Sequence, residues 1–206
     1  MESSLKNDAI GTDPNGTGRR HKVTEKEKRE HGQIYNPNYD EELRREMINA
    51  QELCFDYNSL RPSDLEGRSK QIQKIVGKIG KNFLIEQPFM CDYGYNIEIG
   101  DNFYANHNLI ILDAAKVIIG DSVFIAPNCS IYTASHPIDV IERNKGLEYA
   151  RPIKIGNNVW IGGNVTILPG VTIGDNTTIG AGSVVTKDIP ANVVAHGNPC
   201  RVVRKI

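Results

Sequence analysis

Residues 155–190 read IGNNVW IGGNVT ILPGVT IGDNTT IGAGSV VTKDIP when written in sixes. An aliphatic residue recurs at Ile155, Ile161, Ile167, Ile173, Ile179 and Val185 without a slip. A helix of 3.6 residues per turn scatters a period of six around its barrel. A strand of two or three residues, a tight corner and a further strand reproduce it. Gly, Asn, Asp and Pro fill the second to fourth places, as corners require, and a small or β-branched residue takes the fifth. Each repeat then supplies one wall of a coil and points one aliphatic inward, the pattern of a hexapeptide β-helix, a solenoid.

Working back towards the N-terminus, the same period runs through IGDSVF, IAPNCS and IYTASH from Ile119 and through IGDNFY, ANHNLI and ILDAAK from Ile99. It begins near Ile79, with phase jumps of two residues at corners. Between Ile131 and Ile155 the phase is kept over four hexads, but residues 137–150 are charged and lack regular aliphatics, which predicts a loop projecting from one corner. The spacing predicts a mainly β protein of roughly five triangular coils over 79–190, on the order of 24 Å tall.

Residues 23–78 carry helical signals instead. Thr24 and Glu27 form a capping box, and Asp40 caps a longer helix with the stripe Leu43, Met47, Ala50, Cys54, Tyr57. Arg61-Pro62 ends it. Ser63 and Glu66 suggest a second capping box before the stripe Leu65, Ile72, Ile75, Val76, Ile79. These stripes predict a helical cap on the end or flank of the solenoid. Residues 1–22 are polar and aperiodic and are expected to be a disordered tail. Residues 191–206 are expected to be a C-terminal tail packed on the β-helix.

The 206 residues hold 24 Lys and Arg against 25 Asp and Glu, with a net charge of −1. That balance gives no general attraction for nucleic acid or an anionic membrane. No long apolar run or hydrophobic N-terminal signal is present, so a soluble cytoplasmic protein is expected. The four cysteines have no CxxC spacing and read as reduced packing residues, with the disulfides of a secreted protein as the alternative.

Hexads identify an architecture and little more. The run CDYGYNIEIGDNFYANHNLIILD, the segments IYTASHP and GLEYARPIKIGNNVWIGG, and the C-terminal VTKDIPANVVAHGNPCRVVRKI together resemble the maltose and galactoside O-acetyltransferases. EKEKREHGQIYNPNYDEEL is similar to the small helical domain preceding the β-helix in that family, so the resemblance spans about residues 23–206. It implies a left-handed parallel β-helix, a homotrimer with active sites between subunits, and transfer of an acetyl group from acetyl-CoA to a sugar hydroxyl such as that of maltose or glucose. No metal is expected.

The resemblance also assigns roles. His136, in the segment Thr133–Pro137, matches the catalytic histidine, and a neutral imidazole is suited to accept a hydroxyl proton near neutral pH. A loop histidine bonded to a corner carbonyl is the bland alternative. Asn106 matches an active-site asparagine that orients the acceptor; a left-handed corner asparagine is its alternative, the reading given to Asn102, Asn128, Asn157, Asn158, Asn164 and Asn176. Asp92 matches an acceptor-contacting position, or fastens its corner. Gly163 matches the residue beside the thioester, Ala181 a pantetheine contact, and Thr186, Lys187, Arg201 and Arg204 the nucleotide and phosphate contacts, for which cations are apt. Ala114 stands where galactoside enzymes carry a second consecutive acid, which moves the reading towards the maltose branch. Other hydroxyl or amine acceptors, a zinc hydratase (which needs an H-x4-H pair absent here) and a non-catalytic solenoid are the competing functions.

Overall fold

The computed structural model describes residues 23–206, so the expected N-terminal tail lies outside the described residues. Thr24 caps α1 (Glu25–Glu30) through the reciprocal box with Glu27. Asp40 caps α2 (Glu41–Ser59), accepting the Leu43 N–H at 2.9 Å. Helix α3 (Leu65–Ile75) departs from the expected cap. Asp64 rather than Ser63 is its N-cap, accepting the Gly67 N–H, and Leu65 points to solvent. A carboxylate and a hydroxyl adjacent in sequence compete for one cap, and the stronger acceptor holds it.

The solenoid then proceeds coil by coil. The first coil is β1 (Lys78–Ile79), β2 (Leu84–Ile85) and β3 (Phe89–Cys91), and the second β4 (Ile97–Ile99), β5 (Tyr104–Ala105) and β6 (Leu109–Leu112). The third is β7 (Val117–Ile119), β8 (Phe124–Ile125) and β9 (Ser130–Tyr132). An excursion follows, with β10 (Ala134–Ser135), a short α4 (Val140–Asn144) and β11 (Tyr149–Ala150). The fourth coil is β12 (Ile153–Ile155), β13 (Trp160–Ile161) and β14 (Thr166–Ile167), and the fifth β15 (Thr172–Ile173), β16 (Thr178–Ile179) and β17 (Val184–Val185). Three parallel faces result. The first is β1-β4-β7-β12-β15, the second β2-β5-β8-β13-β16, and the third β3-β6-β9-β14-β17.

A sixth rung exceeds the five coils expected. Ile189 bridges Ile173, β18 (Val193–His196) pairs parallel to β16, and β19 (Arg201–Lys205) turns back antiparallel to β18. The predicted C-terminal tail is therefore part of the second face. Its alternation in VVAH was too short to be read as a wall.

Each hexad buries two residues where one was expected. Ile161, Ile167, Ile173 and Ile179 are 0–1% exposed, and so, at 0–2%, are the fifth-place residues Val159, Val165, Val171, Thr177 and Ser183. Residues two apart on a strand share a face, so a strand entering from the corner brings both inward. The corners turn through left-handed residues, among them Asn102, Asn128, Asn158, Asn164 and Asn176, as read; Asn157 is not among them. Their side chains stack from coil to coil, as in Asn158 to Asn176 at 3.0 Å and Asn176 to Asn192 at 2.9 Å.

The helices seal the first coil. Ile72, Ile75 and Val76 join the core with Ile85 and Ile97, and the buried Arg68 donates to the Ile85 carbonyl and the Glu86 carboxylate, both at 2.7 Å. Asn58 of α2 makes two 2.9 Å bonds with the backbone of Phe89 on β3. The excursion does not simply project into solvent. Tyr35 and Glu148 exchange backbone bonds of 3.0 and 2.9 Å, and Asn36 donates to the Lys145 carbonyl, so the N-terminal segment holds the loop against the coil.

Candidate active site

His136 begins the excursion. The β10–β11 pairing, with Ser135 opposite Tyr149, folds the far end of the loop back beside it. Its Nδ1 lies 2.9 Å from the carbonyl oxygen of Leu147. A carbonyl only accepts, so Nδ1 is the donor, and in the neutral ring the lone pair is on Nε2. A contact of the kind weighed as the bland reading is thus present, though to a carbonyl of the excursion and not of a corner, and it leaves the other nitrogen without a hydrogen bond to this carbonyl. Nε2 is 3.9 Å from Glu148 Oε1, and the imidazole is half exposed.

A cavity of about 370 Å³ opens beside the ring, lined by Tyr35, Asp92, Ala114, Tyr132 and Glu148 among others. Asp92 follows β3 directly, and its own N–H is held by Asp113 Oδ1 at 3.1 Å. Asp113 is fully buried and also accepts the Tyr93 N–H at 2.8 Å, so Asp113 is the residue that fastens this corner. Burial, with the Asp113 and Glu148 carboxylates nearby, pushes the Asp92 carboxyl up to about 7. Burial likewise holds the Asp113 carboxyl above the ordinary range.

Of the lining residues not singled out in the sequence, Tyr35 and Glu148 form a pair. Tyr35 is buried, and its hydroxyl donates to Glu148 Oε2 at 2.9 Å; burial and that carboxylate raise its phenol. Glu148 lies in a loop with no periodicity, 113 residues from Tyr35. No local spacing could have joined them.

The remaining predicted residues divide between two corners. Backbone bonds Asn106 to Ile125, Ala126 to Ile161 and Gly162 to Ile179 stack Asn106, Gly163 and Ala181 along the corner between the second and third faces. Asn106 is not a left-handed residue, and its Oδ1 accepts the His107 N–H at 2.7 Å. It borders a second, apolar cleft of about 450 Å³ with Tyr104, Phe124 and Trp160. Arg201 and Arg204 extend this side on β19 and are exposed. Thr186 and Lys187 instead leave the third face, as Asp92 and the His136 excursion do. Cys91 registers with Ile111, Ile111 with Ile131, Ile131 with Ile167 and Ile167 with Val185, so four rungs separate Asp92 from Thr186. At strand spacing that is about 19 Å.

Gly162 and Gly163 differ in why they lack a side chain. A Cβ on Gly162 would lie 2.5 Å from the Ala181 backbone N, whereas one on Gly163 would meet only Pro127 O, at 3.4 Å. The coil itself demands glycine at 162 and leaves room at 163.

Among the described residues, no three His, Cys, Asp or Glu side chains converge as metal ligands, and no helix is long and apolar enough to cross a membrane.

Comparison with known proteins agrees with this architecture. Residues 152–187 match the bacterial transferase hexapeptide (six repeats), and residues 28–80 match the maltose acetyltransferase hexapeptide capping motif. The chain is 51% identical over 166 residues to the galactoside O-acetyltransferase of Escherichia coli, covering 81% of this chain and 82% of that protein. A crystal structure of a maltose O-acetyltransferase from Clostridium difficile superposes with a TM-score of 0.87 at 54% identity, covering 89% of this chain and 97% of that one. A galactoside acetyltransferase in complex with coenzyme A also gives 0.87, at 46% identity and 90% and 92% coverage.

Proposed function

The chain belongs to the maltose and galactoside O-acetyltransferase family of hexapeptide-repeat enzymes, and we propose that it moves an acetyl group from acetyl-CoA to a hydroxyl of a sugar such as maltose or glucose. The observation that carries this reading is the direction of the His136 lone pair. With Nδ1 engaged by Leu147, Nε2 is free to take a proton from an acceptor in the adjoining cavity. The hydroxyl oxygen attacks the thioester carbonyl as Nε2 takes its proton. The tetrahedral intermediate collapses, the C–S bond breaks, and the imidazolium returns the proton to the departing coenzyme A thiolate. Asn106 orients the reactants, and the Gly163 N–H stabilises the oxyanion. Glu148 steadies the imidazolium, and Tyr35 holds Glu148 in place.

Asp92 and Glu148 give the cavity two acidic side chains beside the aromatic rings of Tyr35 and Tyr132, a lining suited to hydrogen-bonding a polyol. The same pair of acids makes an amine-bearing sugar the second reading. Gly163, Ala181, Thr186, Lys187, Arg201 and Arg204 are assigned to acetyl-CoA, a ligand long enough to span several rungs.

The homotrimer is part of the family reading, and the division of these residues between two corners supports a cleft built by more than one chain. One coil stack holds His136 and Asp92 on one corner and Asn106, Gly163 and Ala181 on another, and in this reading the corner of a second chain completes each cleft. The second face offers a surface for it, since Tyr104, Phe124 and Trp160 stand in register and the last two are 52% and 57% exposed. All four cysteines are free thiols, in keeping with a cytoplasmic setting.

The direct test is thiol release from acetyl-CoA with maltose, glucose, galactosides and amino sugars, with native mass spectrometry of the assembly. Acetylated neutral sugar from a trimer supports the reading. A monomer with full turnover would remove the shared cleft.

A further inference from the structure

Cys54 on α2 and Cys91 on β3 bring their Sγ atoms to 3.6 Å inside the core, and both are free thiols. They are 4% and 6% exposed. The hydrogen bond between them pushes the Cys54 thiol down, and the same contact, with burial, pushes the Cys91 thiol up. The contact sets the two sulfurs so that one can attack an oxidant and the other resolve the product. A cavity of about 360 Å³ reaches both, and Phe55 and Met90 at its rim are well exposed. Cys129 and Cys200 lie apart from the pair, Cys129 donating to the Gly162 carbonyl at 3.1 Å.

We propose that Cys54 and Cys91 are an oxidisable pair that forms a reversible intramolecular disulfide with peroxide-class oxidants. One thiol of the pair attacks a peroxide oxygen, breaking the O–O bond; its proton passes to the departing hydroxide, leaving a sulfenic acid and water. The other thiol then attacks the sulfenyl sulfur, and its proton leaves with the hydroxyl as a second water. The two thiols lose two electrons and two hydrogens in total, and the peroxide is reduced. A disulfide bond of about 2.05 Å requires the sulfurs to close by roughly 1.5 Å. That movement draws α2 against β3 at the joint held by Asn58 and Phe89. Cys91 is followed by Asp92, so the strain reaches the His136 cavity first and the Gly163–Ala181 corner last. The consequence for the acceptor rests on the acetyl-transfer reading; the disulfide does not.

The full-length protein is treated with hydrogen peroxide, quenched with an alkylating agent, and measured by intact mass and peptide mapping. The expected result is a mass loss of two hydrogens in samples measured before alkylation, two fewer alkyl groups after it under denaturing conditions, one cross-linked peptide pair containing Cys54 and Cys91, and full reversal by a dithiol reductant. Cys54→Ser and Cys91→Ser each abolish the mass loss. Unchanged mass, addition of two or three oxygens to single cysteines, or a cross-link through Cys129 or Cys200 would overturn the proposal, and peptide mapping of the unsubstituted protein distinguishes these outcomes even if a variant misfolds. In the same samples the KM for the sugar is expected to rise about tenfold on oxidation while the KM for acetyl-CoA is unchanged. A disulfide formed with unaltered sugar KM would remove the coupling and leave the disulfide standing. A protein with no acetyl transfer in either state would instead fail the reading of function.

Discussion

His136 and Glu148 face each other across the mouth of one cavity, with Nε2 and Oε1 3.9 Å apart. The opposite side of the imidazole is fixed by the Leu147 carbonyl, and the opposite oxygen of the carboxylate by the Tyr35 hydroxyl. The imidazole is therefore oriented by its own loop, and the carboxylate beside it by a segment 113 residues away in sequence.

Replacing His136 with Ala should lower kcat by roughly 100- to 10,000-fold, the usual contribution of a positioned base. The ring is half exposed, so the melting temperature and the assembly should be retained. Steady-state kinetics beside thermal unfolding decides this; turnover within twofold of wild type would leave the chemistry without its base.

Glu148→Gln removes the charge beside Nε2 while keeping the side chain's size. The expected effect is a fall of about tenfold in kcat with the acetyl-CoA KM unchanged. Tyr35→Phe should follow in the same direction with a smaller loss. An equal rise in both KM values without loss of kcat would show that Glu148 only shapes the loop.

The Asp92 carboxyl, pushed up to about 7 from an ordinary value of 3.8, makes stability depend on pH. Between those values the folded chain keeps a proton that the unfolded chain releases. The contribution is fully present below 3.8 and is lost as pH rises through 7, by up to about 4 kcal/mol. Denaturation midpoints measured from pH 4 to 8.5 should fall with pH in the wild type and flatten in Asp92→Asn. Parallel curves for the two proteins would show that another group titrates.

The adjacent glycines should separate fold from function. Gly162→Ala places a Cβ against backbone and should destabilise by about 1–3 kcal/mol. Gly163→Ala has room within the chain and should change stability by no more than about 0.5 kcal/mol, yet weaken acetyl-CoA. Calorimetric titration with coenzyme A, alongside unfolding curves, makes the comparison. Unchanged affinity in Gly163→Ala would take residue 163 out of the donor site.

Much of this was legible because each cause is local. The Ile155–Val185 register and the left-handed corner asparagines follow from a period of six, and the Thr24–Glu27 cap from a spacing of three. Asp64 displaced Ser63 as the cap of α3 through a competition between neighbours that a spacing rule does not weigh. The pairing of Tyr35 with Glu148 is non-local, and Glu148 sits in a loop read only as charged and projecting from a corner. The resemblance to a family named His136, Asn106 and Gly163 together, but only the coil geometry showed His136 on one corner and the other two on another. That separation is the physical reason for proposing a cleft shared between chains.

Trans-complementation tests that proposal most directly. His136→Ala and Gly163 replaced by a bulky residue (Gly163→Trp) are each made nearly inactive, then unfolded together, refolded as mixed trimers and assayed for acetyl transfer from acetyl-CoA to maltose or glucose. A cleft shared between chains predicts recovery of a substantial fraction of wild-type activity, because some interfaces unite an intact His136 with an intact Gly163. Mixed trimers, verified by native mass spectrometry, that stay as inactive as their parents would contradict it.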